Sequence, residues 1–182
     1  MEAAVAPQAA TGAPRAVVVC GIDPGLGTTG YAVLRGAGDA AAIIDAGVCR
    51  FDETRPLPER LLAIRRDVSS ILSEHRPEFV AVEELYSHYK HPKTAILMGH
   101  ARGVILLAAA EVGSEVRSYA ATQVKRYLTG NGRATKAQMQ RAVQTTLGLS
   151  SLPEPSDVAD ALAIALCCIA DVRRTERAEV VS

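Results

Sequence analysis

Residues 16–35 read AVVVCGIDPGLGTTGYAVLR, and this stretch decides the fold. Its first part, AVVVCGID, is an unbroken apolar run, which is typical of a strand buried on both faces of a sheet. A glycine-rich turn separates it from the strand-like run YAVLR, and the connection RGAGDA leads to a third run, AAIIDAGVCRF. Because Gly and Asp at such connections favour tight turns, the chain is predicted to begin with three antiparallel strands.

Strands and helices alternate in the rest of the chain. Between Leu57 and Glu74 apolar residues recur at steps of four and three, which predicts a helix with one buried face. The strand EFVAVE, an apolar helix from Lys93 to about Val112, the strand EVRSY and three helices follow, the last running from Ser156 to about Asp171. This order predicts an α/β fold with a mixed five-stranded sheet, three antiparallel strands and then parallel ones, and helices on both faces.

The composition indicates one globular domain. Of the 182 residues, 48% are hydrophobic and 22% are charged. Residues 15–171 are predicted to form the domain, 1–14 a disordered extension and 172–182 a flexible tail. The sequence is interpreted as having no membrane span and no secretory signal, which favours a cytoplasmic location. The cysteines form no CxxC pattern and are predicted to be reduced thiols; they are Cys20, Cys49, Cys167 and Cys168.

The basic residues are concentrated in one segment. Net charge is zero, yet residues 85–145 contain nine Lys and Arg and two acids. The same segment contains four of the five tyrosines. A basic stretch interleaved with aromatic residues suits a phosphate backbone with unstacked bases, so the segment is predicted to bind nucleic acid. Any single lysine in it is better explained by a solvated helix face.

Four acids lie where predicted apolar elements begin or end. Asp23 closes AVVVCGID, Glu83 closes EFVAVE, and Asp157 and Asp160 open the last helix. Taken singly, three of them have ordinary explanations: a turn residue for Asp23, a strand end for Glu83, and a first-turn acid favoured by the helix dipole for Asp157. Asp160 is different, because it lies within an apolar helix where an unpaired carboxylate is very costly.

A divalent cation explains the four acids together. Two carboxylates about 4 Å apart repel by about 4 kcal/mol at an effective dielectric constant of about 20. The set suits Mg²⁺, with Mn²⁺ as an alternative, and two such ions per site would fit phosphodiester hydrolysis. The glycines of GLGTTG either leave room for a ligand phosphate or metal or permit a hairpin turn with positive φ, and the sequence leaves both interpretations open.

Ordered motifs across residues 16–170 carry a resemblance to a known family. They are GIDPG and TGYAV, then AVEELY, GHARGVI, QVKRYLTGNGRATKAQM and SDVADALAIA. In this order the chain resembles the RuvC family of Holliday junction resolvases. The resemblance implies an RNase H-like fold, a metal-dependent endodeoxyribonuclease that nicks opposing strands of four-way junction DNA in recombination and repair, a homodimer, and a branch-migration motor of the RuvA/RuvB type as partner.

The resemblance also implies roles for individual residues. It places the catalytic and metal-binding acids at Asp23, Glu83, Asp157 and Asp160, with histidine in some relatives at the position of Asp157. Tyr86 matches an aromatic residue that stacks on unpaired bases. Lys125 and Lys136 match basic residues near the scissile phosphate, and Arg102 in GHARG is interpreted as structural. The basic segment adds further candidates for DNA binding, which are Lys90, Lys93, Arg126 and Arg133.

Two other functions remain open at this point. A non-catalytic junction-binding module explains the basic segment but not the four acids. An actin-like or sugar-kinase-like ATPase also begins with an acid and a glycine-rich hairpin, but it needs a second nucleotide-binding domain for which 182 residues leave little room. The long helix with Gly99 and Gly103 is predicted to pack on the sheet, to form the subunit interface, or both.

Overall fold

The computed structural model describes residues 15–37, 40–85 and 92–181, which form a mixed five-stranded sheet between two layers of helices. The elements are β1 (Val17–Asp23), β2 (Thr28–Ala37), β3 (Ala40–Arg50), α1 (Leu57–His75), β4 (Phe79–Glu83), α2 (Pro92–Glu111), β5 (Glu115–Tyr119), α3 (Ala121–Thr129), α4 (Lys136–Leu147) and α5 (Ser156–Val181). The predicted order of strands and helices is confirmed.

The sheet has the strand order β3-β2-β1-β4-β5. β1, β2 and β3 pair antiparallel, whereas β4 pairs parallel to β1 and β5 parallel to β4. The apolar run of β1 lies at the centre of the sheet, where both faces are covered, and this position accounts for its lack of polar alternation. The carboxyl ends of β1, β4 and β5 therefore meet at one edge.

Each face of the sheet has its own hydrophobic core. One core lies beneath α3, α4 and α5 and includes Val19 of β1, and the other lies beneath α1 and α2 and includes Cys20 and Ile22. Side chains that alternate along β1 point to opposite faces, so a single strand contributes to both cores. All four cysteines are unpaired, as predicted.

Two sheet glycines allow α5 to lie directly on the sheet. A Cβ atom added to Gly21 would stand 2.3 Å from the carbonyl oxygen of Ala161, and one added to Gly30 would stand 2.2 Å from that of Asp157. Among the described residues, positive φ at glycine occurs in the helix-ending turns and not in GLGTTG. The glycines at positions 21 and 30 therefore serve a close approach of two backbones, an interpretation that the sequence did not suggest.

The last helix is longer than predicted. It was predicted to end near Asp171 and to be followed by a flexible tail over 172–182, but α5 continues to Val181. Two contacts explain the continuation: Val172 is buried, and Arg173 Nη2 donates a hydrogen bond to the carbonyl oxygen of Ala40 at 2.6 Å. The predicted extension at 1–14 lies outside the described residues, and the domain boundaries stay a prediction.

The interpretation of the hydropathy of α2 also needs correction. By length and composition alone, the stretch Lys93–Glu111 could cross a membrane, with a mean hydropathy of 1.3 and 22% of that window buried. One such helix is weak evidence for a membrane span. Its high hydropathy comes in part from apolar side chains on its outer surface, of which Ile96 is 62% and Leu107 is 53% exposed.

Candidate active site

Asp23 and Glu83 lie at the carboxyl ends of neighbouring parallel strands. The register pairs Ile22 of β1 with Val82 of β4, and the next residue of each strand is one of the two acids. Adjacent strands are about 4.8 Å apart, so the two backbones bring these side chains to the same edge of the sheet. Both side chains are half-buried, and the neighbouring Glu84 is exposed. The edge therefore carries two acids that solvent reaches only in part.

The first turns of α5 bring two more acids to this edge. Gly30, which pairs with Asp23 across the β1–β2 ladder, lies directly beneath the backbone of Asp157. Asp160 follows three residues later on the same face of the helix and is half-buried. The four acids thus come from three separate elements, and the close packing of α5 on two glycines brings the third element to the other two.

Burial and the charges of neighbouring acids raise the pKa values of Asp23, Glu83 and Asp160. Burial, followed by the charges of Asp160, Glu83 and Asp157, raises the pKa of Asp23 from 3.8 to about 7. Burial and Asp160 raise the pKa of Glu83, and burial with Asp157 raises that of Asp160. Burial is the largest cause in all three, and the added contributions of the neighbouring acids indicate that negative charge is also concentrated at this edge. A cation bound among these groups would relieve that crowding.

Two lysines face the acids from the neighbouring helices. The charges of Lys125 on α3 and Lys136 on α4 both oppose the upward pKa shifts of Glu83 and Asp160. Lys136 Nζ lies 3.8 Å from Asp160 Oδ2, but its side chain is 74% exposed, so this ion pair contributes little to stability. A capping box formed by Thr135 and Gln138 starts α4 and sets the position of Lys136. Both lysines can therefore reach a ligand at the edge.

The donor set has the chemistry that a hard divalent cation requires. In residues 15–37, 40–85 and 92–181, no group of three or more Asp, Glu, His or Cys side chains is arranged so that it could hold a metal ion as it stands. The four acids nevertheless supply only oxygen ligands, which Mg²⁺ and Mn²⁺ prefer. Burial contributes most to the raised pKa of Asp23, and the charges of the other three acids each raise it further. The residues fit a cation that draws the carboxylates together.

The other predicted DNA-binding residues are spread over a wider surface. Lys93, Arg126 and Arg133 are exposed, at the start of α2, on α3 and between α3 and α4, respectively. Tyr86 and Lys90 lie outside the described residues. Of the predicted basic residues that the structure describes, Lys125 and Lys136 are the two whose charges act on Glu83 and Asp160.

Arg102 has a contact with the site that the sequence did not reveal. Its Nε donates a hydrogen bond to the backbone carbonyl of Glu83 at 3.2 Å, and its Nη2 donates to Ser118 Oγ at 2.6 Å. One guanidinium thus joins α2 to the ends of β4 and β5. The GHARG motif was the available signal, but the partner of its arginine lies in other elements of the chain.

A second arginine supports the turn after Asp23. Arg60 Nε of α1 donates a hydrogen bond to the carbonyl of Leu26 at 3.3 Å, and Phe51 N donates to the carbonyl of Gly27 at 2.9 Å. No local sequence pattern marks Arg60, because its partner is 34 residues away.

Comparison with known proteins decides the family. The family model described as "Crossover junction endodeoxyribonuclease RuvC" matches residues 19–168, which include all four acids and both lysines. The chain belongs to the RuvC family. A RuvC relative from Rhodopirellula baltica, with the same description, is 53% identical over 149 residues, which are 82% of this chain and 84% of the relative.

Solved structures of RuvC agree with the fold. Thermus thermophilus RuvC in complex with a Holliday junction substrate has a TM-score of 0.82 and 38% identity, and the match covers 87% of this chain and 96% of that one. The yeast mitochondrial Holliday junction resolvase has a TM-score of 0.61 at 13% identity, over 87% of this chain and 83% of that one, and shows the fold alone. The RNase H-like fold predicted from the sequence is confirmed.

Proposed function

We propose that this chain is an endonuclease that resolves four-way DNA junctions by paired symmetric nicks in homologous recombination and repair. One observation carries the proposal: four acids from β1, β4 and α5 meet at one sheet edge, with Lys125 and Lys136 facing them, in a chain of the RuvC family. The relative solved with a Holliday junction substrate supports the choice of DNA.

The acids are proposed to hold two divalent cations, Mg²⁺ or Mn²⁺. When bound, such ions supply an activated water and stabilise the departing 3′ oxygen. Among the neighbouring acids, Asp160 acts most strongly on Asp23, since after burial its charge is the largest cause of the raised pKa of Asp23. Glu83 supplies its carboxylate from the neighbouring strand, and Asp157 from the first turn of α5.

The lysines are proposed to bind and orient the scissile phosphate. Their charges reach Glu83 and Asp160, so they lie close enough to offset the negative charge of a phosphodiester beside the acids. Lys136 is 74% exposed and can turn from Asp160 towards a DNA phosphate at little cost.

Paired nicking requires two active sites, and we propose that α2 joins two copies of the chain. Its outer surface carries Ile96, Leu97 and Leu107, which are 62%, 39% and 53% exposed. Gly99 and Gly103 are also exposed, and a Cβ atom at Gly103 would meet nothing within 4 Å, so a partner backbone can approach closely there. Several exposed large apolar side chains on one helix are typical of a protein–protein interface. A RuvA/RuvB-type motor as partner and a cytoplasmic location are further parts of this proposal.

Cleavage of a synthetic mobile junction, mapped on all four strands, tests the function. The wild-type chain should produce symmetric nicks in opposing strands when Mg²⁺ or Mn²⁺ is present and none in EDTA. Asp23→Asn should abolish cutting but still bind the junction. Glu84→Gln is the matched control, because it removes an adjacent carboxylate that is exposed. Junction binding by the wild type without cleavage in either metal would indicate a non-catalytic module instead.

A further inference from the structure

A groove rich in arginine lies between β5, α3 and the C-terminal half of α5. It consists of three adjoining depressions of about 370, 330 and 420 Å³, and Arg174 lines all of them. The arginines that line the groove are Arg117, Arg126, Arg173, Arg174 and Arg177. Because α5 continues past Asp171, residues predicted as a flexible tail form one wall of this groove.

One acid within the groove, Asp171, accepts hydrogen bonds from two of the groove arginines. Asp171 Oδ1 accepts a hydrogen bond from Arg174 at 2.6 Å, and its Oδ2 accepts bonds from Tyr119 at 3.3 Å and Arg117 at 3.4 Å. Asp171 is the one acid among the residues that line the three depressions, against five arginines. Arg117 also pairs with Glu115 at 2.9 Å, so the positive charge of the lining comes mainly from the arginines of α3 and α5. A solvated helix surface would not collect cations from three elements around a concave space.

The groove contains an aromatic side chain as well as cations. Tyr127 on α3 lines two of the depressions and is 46% exposed. Arg117 lies over the ring of Phe79, with its guanidinium carbon 4.6 Å from the ring centroid, which restrains this cation at the groove wall. Arginine with an exposed aromatic neighbour matches the sugar-phosphate surface of DNA better than it matches an acidic protein segment.

The groove and the active site share two helices, α3 and α5. Asp160 at the site and Asp171 in the groove are eleven residues apart on α5, or about 16 Å along the helix axis. On α3, Lys125 faces the acids whereas the next two residues, Arg126 and Tyr127, line the groove. At about 3.4 Å per nucleotide step, 16 Å corresponds to about five steps from the scissile phosphate.

We propose that this groove binds the backbone phosphates of one junction arm, about five nucleotides from the cleaved bond. This inference rests on the proposed function, since it adds a second DNA contact to that active site. Charge complementarity and continuity with the site through α3 and α5 favour DNA as the occupant. Arg174 can exchange its exposed ion pair with Asp171 for a phosphate, because its side chain is 81% exposed and Asp171 retains Arg117 and Tyr119.

Site-specific neutralisation of the DNA tests the groove. Junctions with methylphosphonate linkages about four to six nucleotides from the scissile bond are compared with unmodified junctions and with junctions neutralised near the arm ends. Binding is measured in EDTA by fluorescence anisotropy over a range of salt concentrations. The wild-type chain should bind the junction neutralised near the groove about 10-fold more weakly, and it should bind the one neutralised at the arm ends as it binds unmodified DNA.

The double substitution Arg126→Ala/Arg174→Ala identifies the protein side of the contact. It should weaken binding of unmodified junctions about 10-fold and lower the salt dependence of binding by about two phosphate contacts. The affinity of this variant should not change further when the phosphates near the groove are neutralised. Arg35→Ala/Arg66→Ala removes two exposed arginines from β2 and α1 and should behave as wild type. Thermal unfolding of each variant checks that the fold is retained.

Two results would overturn the proposal that the groove binds DNA while leaving the proposed function intact. The first is wild-type affinity of the groove variant for unmodified junctions. The second is an undiminished response of that variant to neutralisation near the groove, which would place those phosphates elsewhere. If the wild-type chain neither binds nor cuts junctions, the proposed function fails, and the groove as a DNA site fails with it.

Discussion

The guanidinium of Arg102 donates a hydrogen bond through Nε to the backbone carbonyl of Glu83 at 3.2 Å. The same side chain reaches Ser118 on β5, and its own helix carries the apolar surface proposed as the dimer interface. A displacement of α2 would therefore be transmitted to the end of β4, which carries Glu83, one of the acids proposed to be catalytic. We therefore expect Arg102 to act as a positioning residue for Glu83.

Replacing Arg102 should weaken metal use more than DNA binding. Arg102→Ala releases the end of β4, so we expect about 10-fold lower cleavage or a comparably higher metal requirement. Ser118→Ala keeps the bond to Glu83 and should have a smaller effect. The measurements are the Mg²⁺ dependence of cleavage at saturating junction and the junction affinity in EDTA. An unchanged Mg²⁺ dependence for Arg102→Ala would contradict the positioning role.

The two acids of α5 should differ in importance. Asp160 makes a larger electrostatic contribution than Asp157 to the raised pKa of Asp23. We therefore expect Asp160→Asn to reduce cleavage by several orders of magnitude and Asp157→Asn to reduce it less. Asp157→His, which the resemblance suggests is tolerated, should retain the most activity of the three. Single-turnover cleavage rates in Mg²⁺ and Mn²⁺ measure this order, and equal losses for the two Asn variants would contradict it.

Without metal, the protein should lose stability as the pH rises through the pKa of Asp23. Folding raises that pKa from 3.8 to about 7, so the folded state binds the proton more tightly than the unfolded state does. Stability should therefore fall between about pH 4 and pH 7, on the order of 1–3 kcal/mol in total. Thermal unfolding in EDTA measures the effect, and added Mg²⁺ should raise the Tm most above pH 7.

Asp23→Asn should flatten this pH dependence, because it removes the group that titrates. Glu84→Gln removes an exposed carboxylate beside the site and should leave the dependence in place. If Asp23→Asn keeps the wild-type pH profile of Tm, the titration of Asp23 is not the cause of the pH dependence of stability.

Gly30 should not accept a side chain. Its Cβ atom would stand 2.2 Å from the carbonyl oxygen of Asp157, so Gly30→Ala must push the first turn of α5 off the sheet. The expected cost is on the order of 1–3 kcal/mol, together with loss of cleavage. Gly47→Ala is the matched control in β3, since its nearest contact is the tip of the Tyr31 side chain at 3.0 Å. Denaturant unfolding and cleavage rates test the pair, and equal stability losses would argue against the backbone contact.

A charge on the outer surface of α2 should separate the proposed dimer. Leu107 is 53% exposed in the single chain, so Leu107→Asp costs little there but buries a charge in the dimer. We expect a monomer in sedimentation velocity and loss of symmetric paired nicks. Ile44→Asp on β3, where the side chain is 40% exposed, is the control and should remain dimeric. A dimeric Leu107→Asp variant would place the interface elsewhere.

Local patterns predicted most of the strands and helices, and they selected the four acids whose catalytic role stays a prediction. The apolar run before Asp23 predicts a central strand, and the pair Thr135 and Gln138 predicts the start of α4, because both signals act over a few residues. Local patterns failed to predict structure that depends on contacts between residues far apart in the sequence. The polar stretch after Asp171 continues as a helix since Val172 is buried and Arg173 binds the carbonyl of Ala40, 133 residues away.

The sequence by itself determined the order of elements, the family resemblance and the identity of the four acids, since periodicity and motifs depend on neighbouring residues. Only the tertiary structure decided how the acids meet. Gly21 and Gly30 let α5 lie against the sheet, and the parallel register sets Asp23 beside Glu83. It also determined the contacts of Arg102 and the existence of the arginine groove, because each depends on side chains from several elements reaching one place in space.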